Sequence, residues 1–178
     1  MDREIKILTN FFNNDKLKIY RDNNNDIIVE GDILIYNSEY TKLPVKFHKL
    51  IGDLYWYGDL DGFKKGTLTT LKNFPDIVEG SVYIQKNPKL TSLKYAPSYI
   101  SGTLQCNNCN ISDISDSLKY VGNSLILSNN PITDITPLND IYIGNYLTMV
   151  NCNIIMENIH TKNDSSIIIT EKITNDIF

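Results

Sequence analysis

Six aliphatic residues, Ile33, Leu54, Val82, Leu104, Leu125 and Leu147, each open a short run in which apolar and other side chains alternate. They are separated by 21, 28, 22, 21 and 22 residues. The long step holds an insertion at residues 61–66 (DGFKKG), and without those six residues it is 22 as well. Further columns keep the same register. Four residues before each anchor stand Val29, Leu50, Val78, Ile100, Val121 and Ile143, and two residues after it Ile35, Trp56, Ile84, Cys106, Leu127 and Met149. Leu43, Leu71, Leu93, Ile114 and Ile135 form a later column. Self-similarity at this period is the mark of a solenoid, in which no unit buries its apolar face alone and stacked units share one continuous core.

Alternation at period two reads as strand, with the anchor and the residue two beyond it pointing inward. Gly31, Gly52, Gly80 and Gly102, two residues before their anchors, suit a tight bend or a close backbone approach. The expected fold is therefore a β-dominated repeat solenoid with few helices and one parallel sheet of six or seven short strands. Residues 1–178 read as a single domain: an N-terminal cap at 1–27, about six repeats of 20–22 residues at 28–154 with the insertion, and a C-terminal cap at 155–178. In the first cap, Ile5, Leu8, Phe11 and Phe12 fall at helical spacing, and apolar runs either side of Asp22–Asp26 predict a hairpin. In the second, residues 167–169 predict a seventh, degenerate strand.

The stretch Leu125–Leu138 (LILSNNPITDITPL) closely resembles a leucine-rich repeat of the internalin type. Val82–Leu93 and Leu104–Ile114 look like weaker copies, so the resemblance spans about residues 28–154. The chain departs from the family in placing its upstream aliphatic four residues before the anchor rather than three, and in one extra residue within Val82–Leu90. These variant repeats resemble those of phage-encoded leucine-rich-repeat-like proteins. The resemblance implies a protein-binding solenoid and, for a phage product, a role in binding and blocking a host protein.

The three cysteines do not make a disulfide framework and fit a reducing compartment. Cys106 and Cys109 form a C-x-x-C, with Cys152 and His160 downstream, a set that a structural zinc site would use. The register points elsewhere. Cys109 and Cys152 stand five residues after their anchors, in the column that also holds Asn87 and Asn130. There a polar side chain satisfies backbone groups in the turn leaving each strand. Cys106 falls in an inward column and reads as core. No nucleophile, phosphate-loop or metalloprotease motif occurs, His48 and His160 are the only histidines, and no enzyme, cofactor or metal is expected.

Net charge is −4, from 17 basic and 21 acidic residues, which disfavours nucleic acid. No apolar run reaches the ~20 residues of a membrane span, and the N-terminus has no signal-like apolar segment. The expected location is the cytoplasm, that of the host cell for a phage product. The outward columns of the sheet, one before, one after and three after each of the six anchors, hold eighteen residues, none of them Lys or Arg. In their N-terminal half Tyr36, Tyr55, Tyr57 and Tyr83 gather beside Asp32, Asp53 and Gln85. Exposed tyrosines serve as interface anchors, and equally stabilise a sheet by cross-strand stacking; both readings stand. Phe63, in the insertion, is a second candidate contact, and a tolerated surface insertion is its alternative. The expected function is a non-enzymatic module whose partner is a host protein or a second copy of itself. A glycan or small-ligand binder using the Tyr/Asp patch, and a virion component, are the alternatives.

Overall fold

The computed structural model of the chain describes residues 2–36, 39–58, 65–154, 162 and 166–168. Its architecture is the β-dominated solenoid expected from the columns, with one α-helix at the N-terminus. Two seven-stranded sheets run along it. The first contains β1 (Lys18–Arg21), β2 (Ile27–Glu30), β4 (Lys49–Ile51), β6 (Ile77–Glu79), β8 (Tyr99–Ile100), β10 (Tyr120–Val121) and β12 (Tyr142–Ile143). The second contains β3 (Ile33–Tyr36), β5 (Leu54–Tyr57), β7 (Val82–Gln85), β9 (Leu104–Asn107), β11 (Leu125–Ile126), β13 (Tyr146–Thr148) and β14 (Ser166–Ile168). All pairs are parallel except the β1–β2 hairpin.

The register is the one the columns predict. Leu54 pairs with Val82, Val82 with Leu104, Leu104 with Leu125 and Leu125 with Leu147. All six anchors are buried, and so are the columns four before and two after them. Gln105 and Ile126 point outward between buried neighbours. The seventh strand is present as β14, paired with β13.

The expectation of one sheet needs correction. Each coil carries two strands, separated by a corner of two or three residues, and the aliphatic residue four before the anchor belongs to the earlier strand. That strand is only two to four residues long, and from β4 onward it offers a single fully inward side chain, so no alternation announces it. The corner shows why glycine precedes the anchor. Gly52 has φ +144°, and a Cβ there would stand 2.5 Å from the carbonyl oxygen of Gly31 in the coil before. No larger residue fits that approach. Ile135 is only partly buried, unlike Leu43, Leu71, Leu93 and Ile114. Pro137 lies in a 3₁₀ turn over Thr136–Asp140, closed by Leu138 N–H donating to the Ile135 carbonyl (3.0 Å), and this turn delivers Leu138 inward instead.

The N-terminal cap is helix α1 (Arg3–Phe12) followed by the β1–β2 hairpin. Leu8 plugs the end of the core, and Phe12 meets Phe47 edge to face. The Asp2 carboxylate caps the helix by accepting from the Glu4 N–H (2.9 Å) and the Ile5 N–H (3.3 Å). Arg21 of β1 then clamps Asp2 (2.7 Å) and Glu4 (2.6 Å), fastening helix to hairpin. Asn13 ends the helix in the left-handed conformation.

Two predictions follow from this packing. Leu125→Ala should cost about 2–5 kcal/mol, whereas Ile126→Ala should stay within about 1 kcal/mol, as read from urea unfolding midpoints. The reverse order would place the strand one residue out of register. The second concerns acid. The Arg21 guanidinium, helped by the backbone N–H groups it caps, holds the Asp2 carboxyl down at about 2, below its ordinary 3.8. The folded value is the lower one, so the contribution is present above pH 3.8 and is lost as pH falls toward 2. Thermal unfolding scanned across that window should show a steeper loss for wild type than for Asp2→Asn.

Candidate functional site

Two ladders of side chains hold the coils in register and decide which polar residues remain free to do anything else. The first runs along the corner. There the backbone turns from one sheet to the other, and one N–H per coil is captured by a side chain of the coil before. Asp53 N–H donates to Asp32 Oδ1 (2.9 Å), Ser81 N–H to Asp53 Oδ1 (2.7 Å) and Thr103 N–H to Ser81 Oγ (3.1 Å). Beyond Thr103 the corner changes. The glycine moves one residue earlier, to Gly122 and Gly144, and the corner N–H groups of Asn123 and Asn145 donate to the carbonyls of Gly102 (3.0 Å) and Asn123 (2.8 Å). Asn145 Nδ2 then donates to Asn123 Oδ1 (3.2 Å). Asp32 and Asp53 therefore have structural work as acceptors, whatever else they contact.

The second ladder is the Asn/Cys column. Asn130 Nδ2 donates to the carbonyls of Cys106 (2.6 Å) and Leu127 (2.9 Å), and its Oδ1 accepts from the Ile111 N–H (3.1 Å). Asn87 makes the equivalent set with Trp56, Gln85 and Leu68. Cys109 Sγ reaches the carbonyls of Asn107 (3.5 Å) and Ile84 (3.9 Å), and Cys152 Sγ that of Leu127 (3.3 Å). A thiol suffices at 109 because the N–H that an amide oxygen would meet there, that of Leu90, already donates to the Asn87 carbonyl (3.0 Å). Burial pushes the Cys106 thiol well above its ordinary value and the Cys109 thiol up to about 11. Both stay protonated at neutral pH, which suits core and ladder positions. Among the described residues no three His, Cys, Asp or Glu side chains are grouped to hold a metal. His160 lies outside them.

The remaining outward residues form the candidate surface, on the N-terminal half of the second sheet. Tyr55 and Tyr83 stack with centroids 5.0 Å apart and planes 8° from parallel, and Tyr57 tilts against Tyr55 at 6.0 Å. The Tyr55 hydroxyl donates to Asp53 Oδ2 (2.9 Å). That bond, with partial burial, pushes the phenol up to about 12. Tyr36, on the end strand β3, is 49% exposed. Gln85 follows Tyr57 in the next coil. Thus Asp32, Tyr36, Asp53, Tyr55, Tyr57, Tyr83 and Gln85 share one face, while Phe63 lies outside the described residues. Helix α1 packs at the end of the solenoid and leaves this face open at Leu34 and Tyr36.

Three features were not singled out from the sequence. Leu34, 55% exposed beside Tyr36, is the apolar centre of the open area, and its place in an outward column was the available signal. Tyr40, with its ring 4.3 Å from that of Phe11, adds an exposed aromatic at the helix end. On the first sheet Tyr99, Tyr120 and Tyr142 stack at 4.6 and 4.8 Å with planes within 7°. In-register tyrosines stack wherever parallel strands repeat them, so the Tyr55–Tyr83 stack is sheet-stabilising as well as outward-facing. Ser124 and Ser128, placed by their columns on the open face, are instead buried; Ser128 Oγ accepts from the Val150 N–H (3.1 Å).

No helix among the described residues is long and apolar enough to cross a membrane. No known protein family, curated protein or solved structure matches the chain.

The ladder geometry predicts a sharp contrast between two substitutions. Asn130→Ala takes the amide donor from the Cys106 carbonyl and the acceptor from the Ile111 N–H, and should cost about 2–4 kcal/mol. Cys109→Asn keeps the donors and should change stability by less than about 1 kcal/mol. Chemical denaturation of the two variants beside wild type measures both.

Proposed function

We propose that the protein is a non-enzymatic binding module whose protein partner docks on the N-terminal half of the second sheet. The observation that carries this reading is the pairing of Leu34 and Tyr36, both about half exposed, on the outward side of one strand. Each side chain is anchored in a hydrogen-bonded strand, so little order has to be imposed on it when a partner binds. Tyrosine adds area and a hydroxyl at low entropic cost, and Tyr36, Tyr55, Tyr57 and Tyr83 concentrate that chemistry in three neighbouring coils. The partner is a foreign protein, with a second copy of the chain as the alternative. The resemblance to phage-encoded leucine-rich-repeat-like proteins favours a host protein that is bound and blocked inside the cell.

The test is affinity capture with the tagged protein, identification of the partner by mass spectrometry, and titration of variants against it. Tyr36→Ala and Tyr57→Ala should each weaken binding by about 1–3 kcal/mol with folding retained. Ile126→Ala and Thr148→Ala, on the far half of the same face, should have little effect. Equal affinity for all four would move the site off this face.

A further inference from the structure

The second sheet ends in an open edge. Its order runs from β14 to β3, so among the described residues β3 has a strand, β5, on one side only. In a parallel ladder alternate residues send their N–H and C=O groups to opposite sides of the strand. The Ile33 N–H donates to the Asp53 carbonyl (2.8 Å), so Ile33 and Ile35 bond toward β5 while Leu34 and Tyr36 turn their backbone groups away from it. The N–H and C=O of Leu34 and the N–H of Tyr36 accordingly have no hydrogen-bond partner among the described residues. Helix α1 lays Leu8 on the end of the core beside this strand, and no hydrogen bond joins helix to strand among the described residues. An edge that must stay clear of other chains carries Lys, Pro, a bulge or an inward charge. The end strand of the first sheet follows that rule: β1 includes Lys18 and Arg21, and Arg21 is tied to α1. β3 reads Ile-Leu-Ile-Tyr, with none of these devices, and its two outward side chains are about half exposed.

We infer that the partner contributes an extended segment that adds to β3 as a further strand of the second sheet. This rests on the binding role proposed for the same half of the sheet and specifies how the partner is held. Main-chain hydrogen bonds to Leu34 and Tyr36 supply affinity, and alternate side chains of the added strand supply selectivity. Its outward residues extend the columns Tyr83–Tyr55–Leu34 and Gln85–Tyr57–Tyr36, so apolar or aromatic residues two apart suit them. The occupant is a foreign segment rather than a coil of a second copy. The β1–β2 hairpin already closes the first sheet at this end and Leu8 of α1 closes the core, which leaves a place for one strand and not for a two-strand coil.

A backbone-held partner gives readouts that a side-chain contact lacks. In the free protein the Leu34 and Tyr36 amides should exchange hydrogen at least about tenfold faster than those of Ile33 and Ile35. Equal protection of all four would mean that the edge is already occupied, and would overturn the inference. The full-length protein is then used to select binders from a library of random short peptides. A selected peptide should protect the Leu34 amide, and N-methylation along the peptide should weaken binding by about tenfold or more at alternate residues only. Leu34→Pro removes the edge N–H and none of the β3–β5 hydrogen bonds. It should therefore unfold near the midpoint of Leu34→Ala and bind the peptide about tenfold more weakly than that variant does. If Leu34→Pro does not fold, the N-methyl pattern on wild type decides. Peptides that need Tyr57 yet show no alternation and leave Leu34 unprotected would overturn the added strand and leave the binding face standing. Alternation with no effect of Tyr57→Ala would keep the added strand and remove the tyrosine face. A failure to select any binder would count against both. Sedimentation showing a dimer that Leu34→Pro dissociates would make a second copy the occupant and overturn the foreign segment.

Discussion

Everything in this protein hangs on how the backbone turns the corner between its two sheets. A solenoid coil must change direction without leaving peptide groups unpaired, since a half-buried N–H with no acceptor costs about 1–3 kcal/mol. The ladder continues around the bend: the Gly52 N–H donates to the Glu79 carbonyl (3.1 Å), and the Leu54 N–H to that of Ser81 (2.9 Å). Only the residue between them points its N–H away from a carbonyl. In the early coils that gap is closed by a side chain from the preceding coil; in the later ones the glycine shifts and a carbonyl closes it. Corner and core are therefore coupled, because the same two residues set both the bend and the entry of the anchor into the interior.

The core was legible because it is written redundantly. Six coils repeat the same inward positions, so Leu104, Leu125 and Leu127 could be placed before any contact was known, and the structure buries all three. The N-terminal helix and hairpin were legible from local signals of the ordinary kind, helical spacing through Leu8 and a polar turn at Asp22–Asp26. The first sheet was not. A strand such as Tyr120–Val121 turns one residue inward and one outward, and a single apolar residue carries no period.

The site was legible in position and less so in role. The tyrosines do share one face, as their columns implied. Asp32 and Asp53 also lie there, but what the columns cannot show is that an outward carboxylate bends back to the neighbouring coil, because that bond depends on a backbone N–H freed only by the corner. Ser128 failed in the same way: its column faces outward, yet its hydroxyl serves the Val150 N–H and it is 8% exposed. Short polar side chains on a parallel sheet are drawn to backbone partners one coil away, while long or aromatic ones reach beyond that competition.

The change of corner type after Thr103 restricts how such an array can grow. The coils turning at Gly31, Gly52 and Gly80 present a side-chain acceptor to their successors; those turning at Gly102 and Gly122 present a carbonyl instead. Duplicating a coil beside its own kind reproduces a matching junction. Transplanting one across the boundary brings together two faces that offer and seek different partners. The repeats are thus two dialects rather than interchangeable modules, and an array lengthened or shortened within one half keeps matching junctions where a change across the boundary does not.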